Sequence, residues 1–181
     1  MITASIVTFH TKYSDLSRLI ECVFNSPIDC LFIIDNSSND ELRDLIIKNS
    51  KIHYIHSLNM GYGSGHNVAI NRAIANGSKY HIVLNPDIYW TDSVIESLSH
   101  YMEETPECGL VMPKIIYPSG ETQYLCKLLP TPMDLFVRRF VPLRGYQKKH
   151  DYTYELRWSG YNSIMEVPVL SGCFMFMRCS I

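Results

Sequence analysis

The chain has 181 residues, 46% of them apolar, which is enough to bury the core of one domain and too little for two ordinary ones. A formal net charge of -2 and a pI near 6.4 exclude the overall basic excess of a general nucleic-acid binder. No apolar run approaches the roughly 18 residues needed to cross a bilayer, and the opening "MITASIVTFH" has neither a charged leader region nor a cleavage site, so the expected location is cytoplasmic.

In chain order, Thr3 to Phe9 ("TASIVTF") reads as a strand, and Leu16, Leu19, Ile20, Val23 and Phe24 follow at helical spacing. "CLFIID", Cys30 to Asp35, is a continuous apolar run of the kind buried on both faces of a parallel sheet. It ends in the loop "DNSSND", where Ser38 and Glu41 have capping-box spacing ahead of a helical stripe of Leu42, Leu45 and Ile46. "KIHYIH", Lys51 to His56, is a third strand. The loop "SLNMGYGSGHN" then leads to a helix over "VAINRAIANG", closed by Gly77. The fourth strand, from Tyr80, runs into Asn85, Pro86 and Asp87, and Val94, Ile95, Leu98 and Met102 mark a helix that ends before Pro106. "CGLVMPKIIY", Cys108 to Tyr117, is expected as a fifth strand. Such alternation predicts an α/β fold with a Rossmann-like, mainly parallel sheet, right-handed crossovers and helices on both faces.

Beyond Pro118 the rhythm breaks. Residues 118–165 are rich in proline, glycine and tyrosine, with one short helix expected around "MDLFVRRF", before "VPVLSGCFMFMR" returns to strand character. We therefore expect a single domain over 1–181, its main sheet in 1–117 and an insertion plus a returning strand in 118–181. Leu128 to His150 sets Arg138, Arg139, Arg144, Lys148 and Lys149 against Asp134 among apolar residues. That pattern fits peripheral contact with an anionic membrane surface, and fits better a solvated basic loop packed by its apolar residues. Cys22, Cys30, Cys108, Cys126, Cys173 and Cys179 contain no CxxC pair and lack the spacing of a zinc site. Free thiols are expected.

Open α/β sheets bind ligands beyond the carboxyl ends of their strands. Three polar loops fall at such ends here: "DNSSND", "NMGYGSGHN" and "NPD". Asp35 can accept from the amide edge of a nucleobase, or simply form an Asx turn. Gly61, Gly63 and Gly65 permit close backbone approach to a flat base or a phosphate, or form a flexible connector. The GxGxG spacing fits neither a P-loop nor a dinucleotide fingerprint, and its place after the third strand argues against a nicotinamide-dependent oxidoreductase. Asp87 offers a hard oxygen suited to Mg²⁺ or Mn²⁺ on a backbone fixed by Pro86, with most of the coordination left to ligand phosphates and water. His10, His66 and Trp90 are further pocket candidates, each also readable as packing.

In this order, "SIVTFH", "IIDNSSND", "NMGYGSGHNVAINRAI", "LNPD" and "VPVLSGCFMFMR" resemble the family 2 glycosyltransferases of GT-A fold, over nearly the whole chain. Asn-Pro-Asp, in place of the more usual Asp-Xaa-Asp, looks most like the rhamnosyltransferase branch of surface-polysaccharide assembly. The resemblance implies a nucleoside-diphosphate sugar donor, UDP- or dTDP-linked, a saccharide or lipid-linked acceptor, a divalent cation (Mg or Mn) and an inverting transfer. It implies that Asp35 contacts the donor pyrimidine, that Thr8, Asn59, Gly61, Gly63, Asn67 and Asn85 line the nucleotide, that Asp87 holds the metal, and that Ser171 and Gly172 border the acceptor side. His10 stands where many relatives have Asn. Relatives carry their general base in a Glu-Asp segment past the Ser-Gly strand, so we expect a chain shortened at its C-terminal end, with the catalytic base unassigned and Glu155 and Glu166 poor substitutes. The alternative is a nucleotide-sugar-binding module that does not transfer.

Overall fold

The computed structural model describes residues 1–46, 49–91, 93–132 and 150–180. They fall into two compact units, Met1–Pro113 with Gly172–Ile181, and Lys114–Ser171. The basic stretch and the helix expected around "MDLFVRRF" lie mostly outside the described residues.

The first unit is a six-stranded sheet in the order β3-β2-β1-β4-β6-β5. Strands β1 (Ile2–Thr8), β2 (Cys30–Asp35), β3 (Ile52–His56) and β4 (Tyr80–Leu84) are parallel, while β6 (Phe174–Arg178) runs antiparallel between β4 and β5 (Leu110–Val111). The central strands are buried on both faces, as their unbroken apolar runs require: Ala4, Ile6, Leu31, Ile33, Ile34, Ile82 and Leu84 have no exposed surface. Helices α1 (Tyr13–Phe24) and α4 (Val94–Glu104) bury Leu16, Leu19, Ile20 and Val23, and Ile95, Leu98 and Met102. These are the apolar positions expected from the 3.6-residue period.

Helix α3 (Tyr62–Ala75) begins well before the expected Val68, taking half of the glycine-rich loop into its first turns. Close packing explains this. A Cβ on Gly65 would lie 2.7 Å from Val7 Cγ2, so the glycine lets α3 lie directly on β1, in a cluster with Phe32, Ile34, Ala69 and Ala73. The helix ends as expected: Gly77 has φ 71° and donates to Ile74 O, and Ser78 donates to Ala73 O, a Schellman closure. By contrast the Ser38–Glu41 capping box does not form. Helix α2 (Arg43–Ile46) starts later, after a turn closed by Arg43 N donating to Asp40 O and by an Arg43–Asp40 ion pair at 3.0 Å. The fifth strand shrinks to two residues, because Pro113 has no N–H to continue the ladder.

In the second unit, Ile116 bridges Thr122 and Lys127 bridges Val169. Its centre is the Tyr161 hydroxyl, which donates to Glu155 O or Cys126 O at 2.9 and 3.1 Å and accepts from Cys126 N at 2.8 Å. All six cysteines are free thiols.

Candidate functional site

From β1 the chain winds outward through β2 to β3, then crosses back through α3 to β4 on the other side of β1. That reversal opens a crevice at the carboxyl edge, between the ends of β1 and β4. Thr8, Asp35 and His56 are register partners in one row along that edge. Strand β4 stops lower, Leu84 pairing with Ile6, so Asn85, Pro86 and Asp87 turn beside the crevice. β6 is antiparallel and Phe174 faces Leu84, which brings Gly172 and Cys173 to the same edge.

Asp35 is 1% exposed and Thr8 not at all. The Asp35 carboxylate accepts from Thr8 Oγ1 at 3.0 Å, Ser37 N at 3.0 Å and Ser37 Oγ at 2.5 Å on Oδ1, and from the Tyr54 hydroxyl at 2.6 Å on Oδ2. Burial pushes its pKa up, but the bonds from Ser37, Tyr54 and Thr8 outweigh this and hold it below the usual carboxylate value. The next residues extend the network. Ser57 Oγ donates to Asn36 Oδ1 at 2.9 Å, His56 Nε2 lies 2.8 Å from Ser37 O, and His10 N donates to Ser37 Oγ at 2.8 Å. His10 itself has φ 51°, a left-handed backbone unusual for a side chain of its size.

The glycine-rich segment presents backbone. Asn59 Oδ1 accepts from Gly61 N at 3.0 Å, and Gly61, with φ 89°, opens α3. A Cβ on Gly61 or Gly63 would meet nothing within 4 Å. No side chain from either glycine therefore crowds the start of α3, and a helix start of this kind is a favourable setting for an anion. Asn67 is exposed on the second turn, so it and Gly63 are helical residues rather than loop residues.

The "NPD" segment is both a turn and an exposed carboxylate. Ile88 N donates to Asn85 O at 3.3 Å with Pro86 fixing the first corner, and Asp87 projects exposed, with no hydrogen bond or ion pair to a described residue. Among the described residues no group of three or more His, Cys, Asp or Glu side chains could hold a metal ion. One hard oxygen on a rigid corner near the start of a helix fits a cation carried mainly by phosphates and water. Gly172 joins this group through Tyr62, whose hydroxyl lies 2.8 Å from Gly172 O and 3.0 Å from Asn85 Oδ1. Ser171 is the last residue of the second unit.

Of the other candidates, Trp90 packs on Phe174 and accepts from the Cys22 thiol at its carbonyl. His66, 3% exposed, ends a buried chain: Thr3 Oγ1 to His81 Nδ1, His81 Nε2 to Ser5 Oγ, and Ser5 Oγ to His66 Nδ1, each 2.8 Å, with His66 Nε2 unpartnered. Sequence reasoning missed Tyr54 and Tyr62. The available signals were the two-residue strand period, which places Tyr54 on the same face as Asp35's register partner His56, and an aromatic set between two glycines.

The fold and this edge define the class: an α/β domain of GT-A type, with a mostly parallel six-stranded sheet. The family model for glycosyl transferase family 2 matches residues 5–180, and the chain belongs to that family. Among solved structures, it is similar to TarS 1–349 of S. aureus, with TM-score 0.57 and 12% identity over 71% of this chain and 41% of that one. It is also similar to the mannosyltransferase PcManGT from Pyrobaculum calidifontis in complex with GDP-Man and Mn²⁺, with TM-score 0.60 and 10% identity over 98% of this chain and 44% of that one. At these identities the likeness is one of fold, and the chain spans less than half the length of either structure. No curated protein matches it. No helix among the described residues is long and apolar enough to cross a membrane.

Proposed function

We propose that the chain is the donor-binding domain of a metal-dependent, inverting glycosyltransferase. It would take a UDP- or dTDP-linked sugar, in the manner of the rhamnosyltransferase branch, and transfer to a saccharide or lipid-linked acceptor in cell-surface polysaccharide synthesis. The observation that carries this reading is the position of Asp87, an exposed carboxylate on a proline-fixed corner at the edge where α3 begins, at a start that Gly61 and Gly63 leave free of side chains. The Pyrobaculum mannosyltransferase, similar in fold and in complex with GDP-Man and Mn²⁺, supports a divalent cation and a nucleotide sugar. A bound Mg²⁺ or Mn²⁺ would neutralise the charge that gathers on the departing nucleoside diphosphate.

The chain's own residues divide the rest. Asp87 would hold the cation from one side, the α3 amides would receive phosphate oxygens, and Asn59, Asn67 and Asn85 would line the nucleotide. Thr8 and Asp35 act from beneath. Their side chains shape the Asn36–Ser37 loop, and a pyrimidine reaches Asp35 Oδ2 only where the Tyr54 hydroxyl gives it up. We place Ser171 and Gly172 on the acceptor side.

Calorimetry of UDP and dTDP with and without Mn²⁺ tests the reading. Wild type should bind more tightly with the metal, and Asp87→Ala should lose that increment while keeping its melting temperature. Equal binding under both conditions for both proteins would contradict it. A donor-binding module that does not transfer is the second reading, favoured by the pairing of Glu155 with Arg157 at 2.7 Å, which occupies one candidate base. Sugar transfer to an acceptor separates the two.

A further inference from the structure

Tyr62, the first residue of α3, stands between Gly61 and Gly63. Its ring meets the buried His66 ring edge-on at 4.4 Å, and a Cβ on Gly172 would lie 3.8 Å from its Cε1. The hydroxyl contacts both Gly172 O at 2.8 Å and Asn85 Oδ1 at 3.0 Å. A phenol has one proton to give. Gly172 O and Asn85 Oδ1 both only accept, so the two oxygens share that one proton, and the hydroxyl holds them side by side.

Asn85 in turn begins the corner that carries Asp87. Its carbonyl accepts from Ile88 N, and its own N–H donates to Cys173 O at 2.9 Å. One hydroxyl therefore joins three segments far apart in sequence: the start of α3, the Asp87 corner and the chain entering β6. Burial, and then the charges of Cys173 and Asp87, push the Tyr62 hydroxyl up to about 12, so it stays a donor throughout the usable pH range.

We propose that Tyr62 is a positioning residue for donor binding, which acts through Asn85 to hold the Asp87 corner against Gly172 and so fixes where the carboxylate meets a diphosphate-bound cation. The inference rests on the functional reading above and adds to it the device that links the metal corner with the acceptor-side strand.

Tyr62→Phe tests this, because it keeps the ring against His66 and removes only the hydroxyl. Calorimetry of UDP and dTDP, in Mn²⁺ and in EDTA, is run on wild type, Tyr62→Phe, Asn85→Ala and the double variant. In Mn²⁺, Tyr62→Phe should weaken binding about fivefold, the size of one neutral hydrogen bond. In EDTA it should behave like wild type, and its melting temperature should shift by no more than about 2 °C. Added to Asn85→Ala, it should cost less than about a further twofold, since the two share one route. Unchanged affinity in Mn²⁺, equal losses with and without metal, or fully additive losses would each overturn the inference and leave the functional reading standing. A wild-type protein that binds neither nucleotide with Mn²⁺ overturns both.

Discussion

Acidification from pH 7 to pH 5 should strip several kcal/mol from the fold, through two imidazoles, one on α3 and one on β4, that burial holds neutral. Burial pulls His66 down to about 4, and burial followed by the charge of His66 pulls His81 down to about 3. In the unfolded chain both titrate near 6.5. The folded values lie below the unfolded one, so under pH 6.5 the unfolded chain takes up protons that the native chain refuses, and stability falls with pH. The window runs from about 6.5 to about 4 for His66 and to about 3 for His81. Each group costs up to ~1.4 kcal/mol per pH unit, so at pH 5 each removes ~2 kcal/mol and the pair ~4. Against a typical total of 5–15 kcal/mol that is a large share, equivalent to a fall of roughly 10 °C in melting temperature. Asp35, held below the usual carboxylate value, adds to acid loss only at lower pH, so the range 5–7 isolates the imidazoles. Urea unfolding at pH 7, 6 and 5 measures the effect. His81→Phe should halve the pH slope while lowering stability at pH 7 by ~2 kcal/mol, because the Thr3 and Ser5 hydroxyls lose a partner. Equal stability of the wild type at pH 7 and 5, or an unaltered slope in His81→Phe, would refute the neutral-imidazole argument.

Two further outcomes follow from packing and hydrogen bonding. Gly65→Ala should cost about 1–3 kcal/mol in urea unfolding, since its Cβ would stand 2.7 Å from Val7 Cγ2, and the same change made in a Val7→Ala background should cost less. Asp35→Ala leaves the buried Thr8 hydroxyl and the Ser37 N–H and hydroxyl without their acceptor, while the Tyr54 hydroxyl keeps Asp40 within reach. It should lower stability by ~3 kcal/mol, and the His56 ring, which contacts Ser37 O, should shift in an NMR spectrum.

The strands β2 and β4 were legible because each is an apolar run that stops in a polar residue at the edge. Cys30 to Asp35 was readable to the residue, since Asp35 both ends the run and begins the network of the loop. Helix α3 was readable only in its second half. Local propensity counts two glycines against its first turns, whereas the fold uses Gly65 to let the helix touch Val7, a contact that no local pattern announces. The place of β6 was equally hidden. Its apolar run marks a strand, but insertion between β4 and β5 depends on a chain return across the whole of Lys114–Ser171.

At the site, the two aspartates that the loop patterns single out have opposite environments, and this divides their chemistry. Asp35 sits in a row set by the β1–β2–β3 register, where Thr8, Ser37 and Tyr54 converge on it. That convergence depends on strand register, so the tyrosine that completes it could not be found from spacing alone. A carboxylate compensated in this way has its lone pairs engaged and its charge shielded from the edge, which leaves it little to offer a hard cation. Asp87 stands on a corner that sequence does reveal, because Pro86 fixes the backbone locally and no distant strand is needed to aim it. Its oxygens have no hydrogen-bond donor among the described residues, so a cation there would meet a carboxylate still able to exchange water for metal. The same residue type is thus a buried, fully engaged strut at the end of β2 and a solvated, unengaged carboxylate at the end of β4, and only the second is open to the ligand role proposed for it.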